Sequence, residues 1–457
     1  MYLATSRSAS PTTPGGAGPA RVSGTVVGLG LVSFFTDASS ELVAAFLPVY
    51  LLYGLGIGYL QFGVLDGLYT GATAVLRLAG GHLADRTARP RAVALFGYGL
   101  SAVTKLGFPL VGGSVAGIGG LLAADRAGKG IRTAPRDAMI TAASPRAALG
   151  RAFGVHRALD TAGALLGPLL AFALLAGIGS AYDAVFGTSF CLALIGVLIL
   201  FFFVRVDPPA PVTMAPPGTG AGDPAVTWPG ADGGVPAVAR PGAGQGDPAA
   251  RRGGAPARPR VTLRGSLALL RNVALRRVAG CALLLGLATA GDAFLFVTLA
   301  ERSGIGGNAL SLMPLGTAAT FLLAAIPVGR LADRLGRWRV FLAGQALLVA
   351  GYALLAGPLT GWALLPVVLG LHGLYYAATD GVLMAHVGAL LPPELRSTGL
   401  ALVQTGQALA RMAAAVAFGA LAQGWALRPA FTVFAAALLV ATVASAVVHR
   451  TTDREYA

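Results

Sequence analysis

The chain has 457 residues, 55% of them apolar and only 12% charged, about half the charged share of an ordinary globular domain. A soluble fold of this length still has a large surface to cover with polar groups, so the composition excludes one. The net charge of +15 falls in short gaps between apolar segments and in one central stretch. It forms no basic stripe with interleaved aromatics, which excludes a nucleic-acid-binding surface.

Residues 1–24 are rich in Ser, Thr, Pro, Gly and Ala, with no apolar core ahead of a cleavage site, and read as a disordered tail. Apolar runs between breakers then predict helices over 25–53, 60–84, 92–112, 115–141, 148–176 and 182–205. At about 1.5 Å per residue each is long enough for a hydrocarbon core of about 30 Å. Residues 206–261 are crowded with Pro, Gly and Ala and hold several arginines, so they bury too little to offset the entropy of ordering and read as a disordered linker. The basic, amphipathic stretch Thr262–Arg277 is expected to lie along the membrane surface. Six more helices follow over 276–300, 308–331, 339–358, 363–391, 398–424 and 429–449, before a tail over 451–457. The expected fold is an all-α membrane protein of twelve transmembrane helices in two pseudo-symmetric six-helix bundles, 25–205 and 262–450.

Arg86, Arg89 and Arg91 crowd one turn and Arg334, Arg337 and Arg339 its counterpart, whereas the opposite loops carry little positive charge beyond Arg302 and Arg428. The positive-inside rule then places both termini and the linker in the cytoplasm. Cys191 and Cys281 both fall inside apolar runs and suit neither a disulfide framework nor a metal site. No metal or other cofactor is expected. No nucleophile–base arrangement or phosphate-cradling loop points to an enzyme.

The halves repeat. Gly81-His-Leu-Ala-Asp85-Arg86 recurs as Gly329-Arg-Leu-Ala-Asp333-Arg334, which runs on to Gly336 and Arg337. A duplicated unit with a binding site between its copies is a transporter plan. These residues resemble the loop signature of the major facilitator superfamily, with Ala88 where the first copy should carry Gly. Arg126-x-x-Lys129-Gly130 resembles that family's fourth-helix motif. Gly154-x8-Gly163-x3-Gly167-Pro168 resembles the fifth-helix motif of its antiporters, without the terminal glycine pair. Ser33–Glu41 and Asp125–Asp137 resemble one prokaryotic branch. The resemblance implies a secondary transporter of a bacterial inner membrane, working as a monomer, with the first, fourth, seventh and tenth helices around a central cavity. It implies that Asp85 and Asp333 help to hold the cytoplasmic side closed. It also implies that the fifth-helix glycines pack on the eighth helix, a contact that limits leak in exporters.

A charge at mid-bilayer costs roughly 2.5–3.5 kcal/mol on insertion scales, so each should face a cavity or a partner. Asp37 and, one turn on, Glu41 lie deep in the first helix and Arg126 deep in the fourth; Asp292, Asp380 and Arg411 lie in the seventh, tenth and eleventh. Asp37, Glu41 and Arg126 are candidates for proton coupling, with a permanent Asp37–Arg126 pair as the structural alternative. Asp292 and Asp380 are candidates to face a substrate cation or to pair with Arg411. Lys129, Arg132, Arg136 and Asp137 suit a gate or an anchor towards the cytoplasm. Asp160 is spaced to meet His156 or Arg157 as an internal pair, and His372 reads as a packed residue. The expected function is efflux of a small organic molecule driven by the proton gradient. Proton-coupled uptake, or a non-transporting sensor or assembly protein, remains open. The partners are the lipid bilayer and a small-molecule substrate.

Overall fold

Ser23 accepts a hydrogen bond from the Thr25 N–H (3.3 Å) and so opens the first helix, α1 (Gly24–Pro48). Pro48 has no N–H to offer the ladder, and beyond it the chain continues as a π-helical turn, Val49–Gly54. There follow α2 (Tyr59–Thr87), α3 (Pro90–Val111), α4 (Val115–Ala142), α5 (Leu149–Ile178) and α6 (Tyr182–Phe202). Pro90 begins α3, where a missing N–H costs nothing, and the Ser114 hydroxyl caps α4 by accepting from Gly117 (3.2 Å). In the computed structural model the described residues are 23–87, 89–145, 148–179, 181–204, 269–391 and 396–455; the side chains of 74–87, 270, 396–398 and 450–455 lie outside the description. The linker expected over 206–261 thus lies outside the described residues.

The second half begins with a 3-10 turn, Leu269–Arg271, and Asn272, which accepts from the Leu275 N–H (3.2 Å). A turn and a cap thus stand where the later part of the 262–277 surface helix was expected. The seventh span comes as two helices, α7 (Val273–Leu287) and α8 (Asp292–Ser303), broken at residues 288–291. The remaining spans are α9 (Met313–Leu335), α10 (Arg337–Ala356), α11 (Leu364–Ala389), α12 (Arg396–Trp425) and α13 (Leu427–Glu455). All twelve expected spans are present, and no described residue lies in a strand. The last runs past its predicted end at 449.

Ten of the spans are apolar enough to cross a membrane on composition alone. The other two, α2 and α4, are equally long but more polar. α4 carries Asp125, Arg126, Lys129, Arg132, Arg136 and Asp137, and a helix so charged crosses a bilayer only with its charges turned onto protein. It packs on α2 and α3, while α1 packs on α5 and α6 and α11 on α9 and α10. Apolar side chains such as Leu110 and Leu323 point outward, as suits a bundle bathed in lipid rather than water.

The connections at 55–58, 112–114, 304–306 and 357–363 and the residue Ala426 gather at one end of the bundle, here the far end. The start of α1, Ser144 and Gly336 mark the near end. Gly336 links α9 to α10 at φ 96° and ψ 129°, a sparsely populated region that costs an L-residue about 1–3 kcal/mol. Gly336→Ala is therefore expected to destabilise the purified protein by roughly 1 kcal/mol, read as a lowered thermal midpoint in detergent. No change would show that the turn relaxes freely.

Candidate functional site

Between the halves, at mid-span, lies a cavity of about 250 Å3. Glu41 reaches it from α1, Asp66 and Tyr69 from α2, Pro168 from α5, Asp292 and Phe296 from α8, and Arg411 from α12. The break in the seventh span supplies the wall opposite α2. There the Ala290 N–H, freed from a helix, donates to the Tyr352 hydroxyl (2.9 Å), and the Thr289 hydroxyl donates to the Leu285 carbonyl (2.8 Å). Asp292 sits in the first turn of α8, where the helix dipole favours a carboxylate. It accepts from the Tyr376 hydroxyl and stands 3.3 Å from His372 Nε2. His372 Nδ1 shares a hydrogen bond with the Thr317 hydroxyl (3.1 Å). The histidine expected merely to pack is thus half of a cavity-facing pair.

Arg411 donates to the Tyr375 hydroxyl (2.8 Å) and forms no ion pair with Asp292 or Asp380; a tyrosine holds it where a carboxylate was expected. Asp380 lies apart from Asp292, in a second cavity of about 290 Å3 that shares Thr70 and Arg411 with the first. Asp66 was not singled out on sequence, although the rule that flagged Asp37 applies equally to a carboxylate seven residues into an apolar run. Its carboxylate has no ion-pair partner among the described residues.

In the first half the deep charges form two groups. Asp125, Lys105 and Arg126 are all buried, with Lys105 Nζ 2.7 Å and Arg126 Nε 3.0 Å from the carboxylate and Ser101 donating to it as well. Arg126 also stacks on the Tyr69 ring at 4.0 Å. The structural alternative, an Asp37–Arg126 pair, is not what forms: the neighbouring carboxylate captures Arg126. Asp37 instead meets Lys129 (3.7 Å) and Arg132 (3.6 Å), and Lys129 also reaches Glu41 (3.8 Å). Lys129 and Arg132, expected as gate or anchor residues, thus face α1. Asp160 pairs with Arg157 (3.3 Å) and Arg136 (3.8 Å). His156 is 1% exposed and neither ring nitrogen has a hydrogen-bond partner, so the His156–Asp160 alternative falls away.

The fifth-helix glycines call for another correction. A methyl group on Gly163 would collide with the Phe34 carbonyl, and one on Gly167 would come within 2.6 Å of the Leu42 nitrogen. Both glycines serve close packing of α5 on α1, and Gly154 has no such neighbour within 4 Å. The expected meeting with the eighth span happens elsewhere, where Asn308 donates to the Leu175 carbonyl (3.3 Å) just ahead of α9. In the second loop signature Arg337 pairs with Asp333 (3.2 Å) and donates to the Ala385 carbonyl (2.9 Å), tying α9 and α10 to α11. Nothing presses on Gly329. Arg334 lies in the last turn of α9, and the side chains of the first copy, Gly81, Asp85 and Arg86, lie outside the described residues.

The halves meet most closely along α2 and α12. Gly63 lies against the Ala415 carbonyl and the Gly419 Cα, Gly67 against the Met412 carbonyl, and Gly58 against Gln423. This seam runs from the far end to the level of the cavity. The family model of the Major Facilitator Superfamily matches residues 29–316 and 278–456. The chain belongs to the major facilitator superfamily. It is a multi-pass membrane protein of that superfamily, and the expected fold and family both hold.

Among relatives of this superfamily member, an uncharacterised MFS-type transporter of Methanocaldococcus jannaschii is 35% identical over 184 residues, 39% of this chain and 44% of its own length. An uncharacterised protein of Mycobacterium tuberculosis is 40% identical over 139 residues, 30% of this chain and 33% of its own. The chain thus spans less than half the length of these relatives. Solved structures match it more fully. The nucleoside transporter NupG superposes with a TM-score of 0.71 at 13% identity, covering 93% of this chain and 99% of its own. A bacterial homologue of the human lysosomal transporter Spinster, inward-facing and unoccupied, gives 0.66 at 13%, covering 93% and 96%. At such identities the likeness shows the fold alone.

Proposed function

We propose that this superfamily member is a proton-coupled exporter of small organic molecules, lying in a bacterial inner membrane with both termini in the cytoplasm. The observation that carries the reading is the acid-rich cavity between the halves, where Glu41 and Asp66 from one half face Asp292 from the other and, among the described lining residues, only Arg411 supplies a cation. Such a lining suits a substrate bearing an ammonium group. Lys129 lies within reach of both Asp37 and Glu41, so protonating one carboxylate leaves the cation paired with the other. A proton can then enter or leave at Glu41 without stranding a buried charge, which is the expensive event; at Asp37 it would also leave Arg132, 3.6 Å away, without its carboxylate. Lys129 thus takes the place beside these carboxylates that the sequence offered to Arg126. Rocking of the halves about the cavity would expose these groups to either side in turn. Outward direction is supported by the likeness of the fifth helix to that of antiporters.

The test is to express the wild type, Asp37→Asn and Asp66→Asn in an efflux-deficient bacterium and to measure accumulation of amine-bearing compounds with and without protonophore. Wild type is expected to lower accumulation, protonophore to erase the difference, and each variant to slow export about tenfold or more, the effect of about 1.4 kcal/mol. Increased accumulation with the wild type would reverse the direction. Protonophore-sensitive export at wild-type rate in both variants would overturn the carboxylate assignment.

A further inference from the structure

At the far end of the second half lies a pocket of about 780 Å3, remote from the cavity between the halves. Arg302, at the end of α8, and Arg428, at the start of α13, both donate to the carbonyl oxygen of Gly357, at 2.7 and 3.0 Å. Arg302 also donates to the Leu359 carbonyl and Arg428 to that of Ala356 (3.4 Å), so the two guanidinium groups converge on neutral backbone acceptors alone, and neither forms an ion pair with a described carboxylate. Around them stand donors without acceptors. Arg302 Nε, the Ser303 hydroxyl and the Thr298 hydroxyl are buried with no hydrogen-bond partner, and Thr298 as a whole is only 1% exposed. All three residues line the pocket. A buried polar group left unsatisfied is costly, and here the unsatisfied groups share one need, an acceptor. Ala426 lines the same pocket at φ 75°, a strained conformation of the kind that persists where a ligand is held.

We infer that this pocket binds a phosphate oxyanion, either on a phospholipid headgroup or free in solution. Several oxygens on one centre match donors that converge from two guanidiniums and two hydroxyls. Glu301, also in the lining, is placed to receive the ammonium of a zwitterionic headgroup. Trp425, 61% exposed at the rim, belongs at the depth where indoles meet headgroups. One wall comes from the other half: Tyr59 lines the pocket, and its carbonyl packs against Gly419. The site is complete only while α2 and α12 are joined at this end, so an occupant favours that arrangement.

The experiment uses delipidated full-length protein in detergent. It is titrated with inorganic phosphate and, separately, with dihexanoyl-phosphatidylethanolamine, against sodium chloride at matched ionic strength, while the thermal midpoint is followed. Saturable stabilisation is expected from at least one ligand, weakened about tenfold in Arg428→Gln, which removes a charged donor, and about threefold in the near-isosteric Thr298→Val. Arg276→Gln, an exposed arginine outside the pocket, should behave as wild type. Stabilisation by the phospholipid alone assigns a lipid headgroup; equal stabilisation by phosphate assigns the free ion. The inference is overturned if neither ligand stabilises the wild type saturably, or if Arg428→Gln and Thr298→Val respond as it does.

Discussion

Replacing Asp125 by alanine is expected to destabilise the protein by about 3–5 kcal/mol, the loss that follows when one partner of a buried ion pair is removed. Lys105 and Arg126 are 2% and 4% exposed, and both are bonded to this one carboxylate. Without it two cations remain in the interior, with only neutral partners such as the Ser101 carbonyl (2.7 Å) and hydroxyl and the Tyr69 ring beside them. The control is Lys105→Met. It removes the surplus cation from a trio of two positive charges and one negative, and leaves Arg126 and Asp125 as a balanced pair, so the cost should stay below about 1.5 kcal/mol. Thermal midpoints and expression yields of the two variants give the comparison. A greater loss for Lys105→Met than for Asp125→Ala would mean that the trio does not carry the charges drawn for it.

The second large effect concerns α5. Gly163→Leu is expected to cost about 3 kcal/mol, the upper part of the range for overpacking, because the obstacle is the Phe34 main chain and not a side chain that could turn aside. The variant should also lose transport, since Asp37 on α1 and Asp160 on α5 border the same interface. Gly154→Leu supplies the contrast: nothing lies within 4 Å of an added Cβ there, and a better helix former replaces glycine. Its thermal midpoint should match or exceed that of the wild type. If the two variants lost stability equally, the glycines would act through something other than the α1 contact.

The spans were legible because each must be long and apolar whatever its neighbours are, and the repeat at Gly81 and Gly329 showed that there are two sets. The deep charges could be picked out one by one for the same reason. Their partners could not. Whether Arg126 or Lys129 meets Asp37 depends on how α4 is rotated, and that rotation is set by Lys105 on α3, which lies beside Asp125 only once the helices pack. The fifth-helix glycines tell a similar story. Their spacing announced a close approach, but only the packed bundle shows that α1 makes it. The break in the seventh span did leave a trace, Gly291 followed by Asp292 inside an apolar run, which is the pattern of a helix start. Asp66 was equally readable and was passed over.

The glycine seam between α2 and α12 also bears on how easily the halves can part. Where Gly63 and Gly67 lie on the main chain of Ala415 and Met412, there are few interlocked side chains to withdraw and little apolar area to uncover, at about 25 cal/mol for each Å2. Lipid exerts no hydrophobic pull to hold such helices together. Beside the Phe62–Phe294 contact the joint therefore works as a smooth bearing held by close fit, and one added side chain at Gly63 would act as a wedge that props it open.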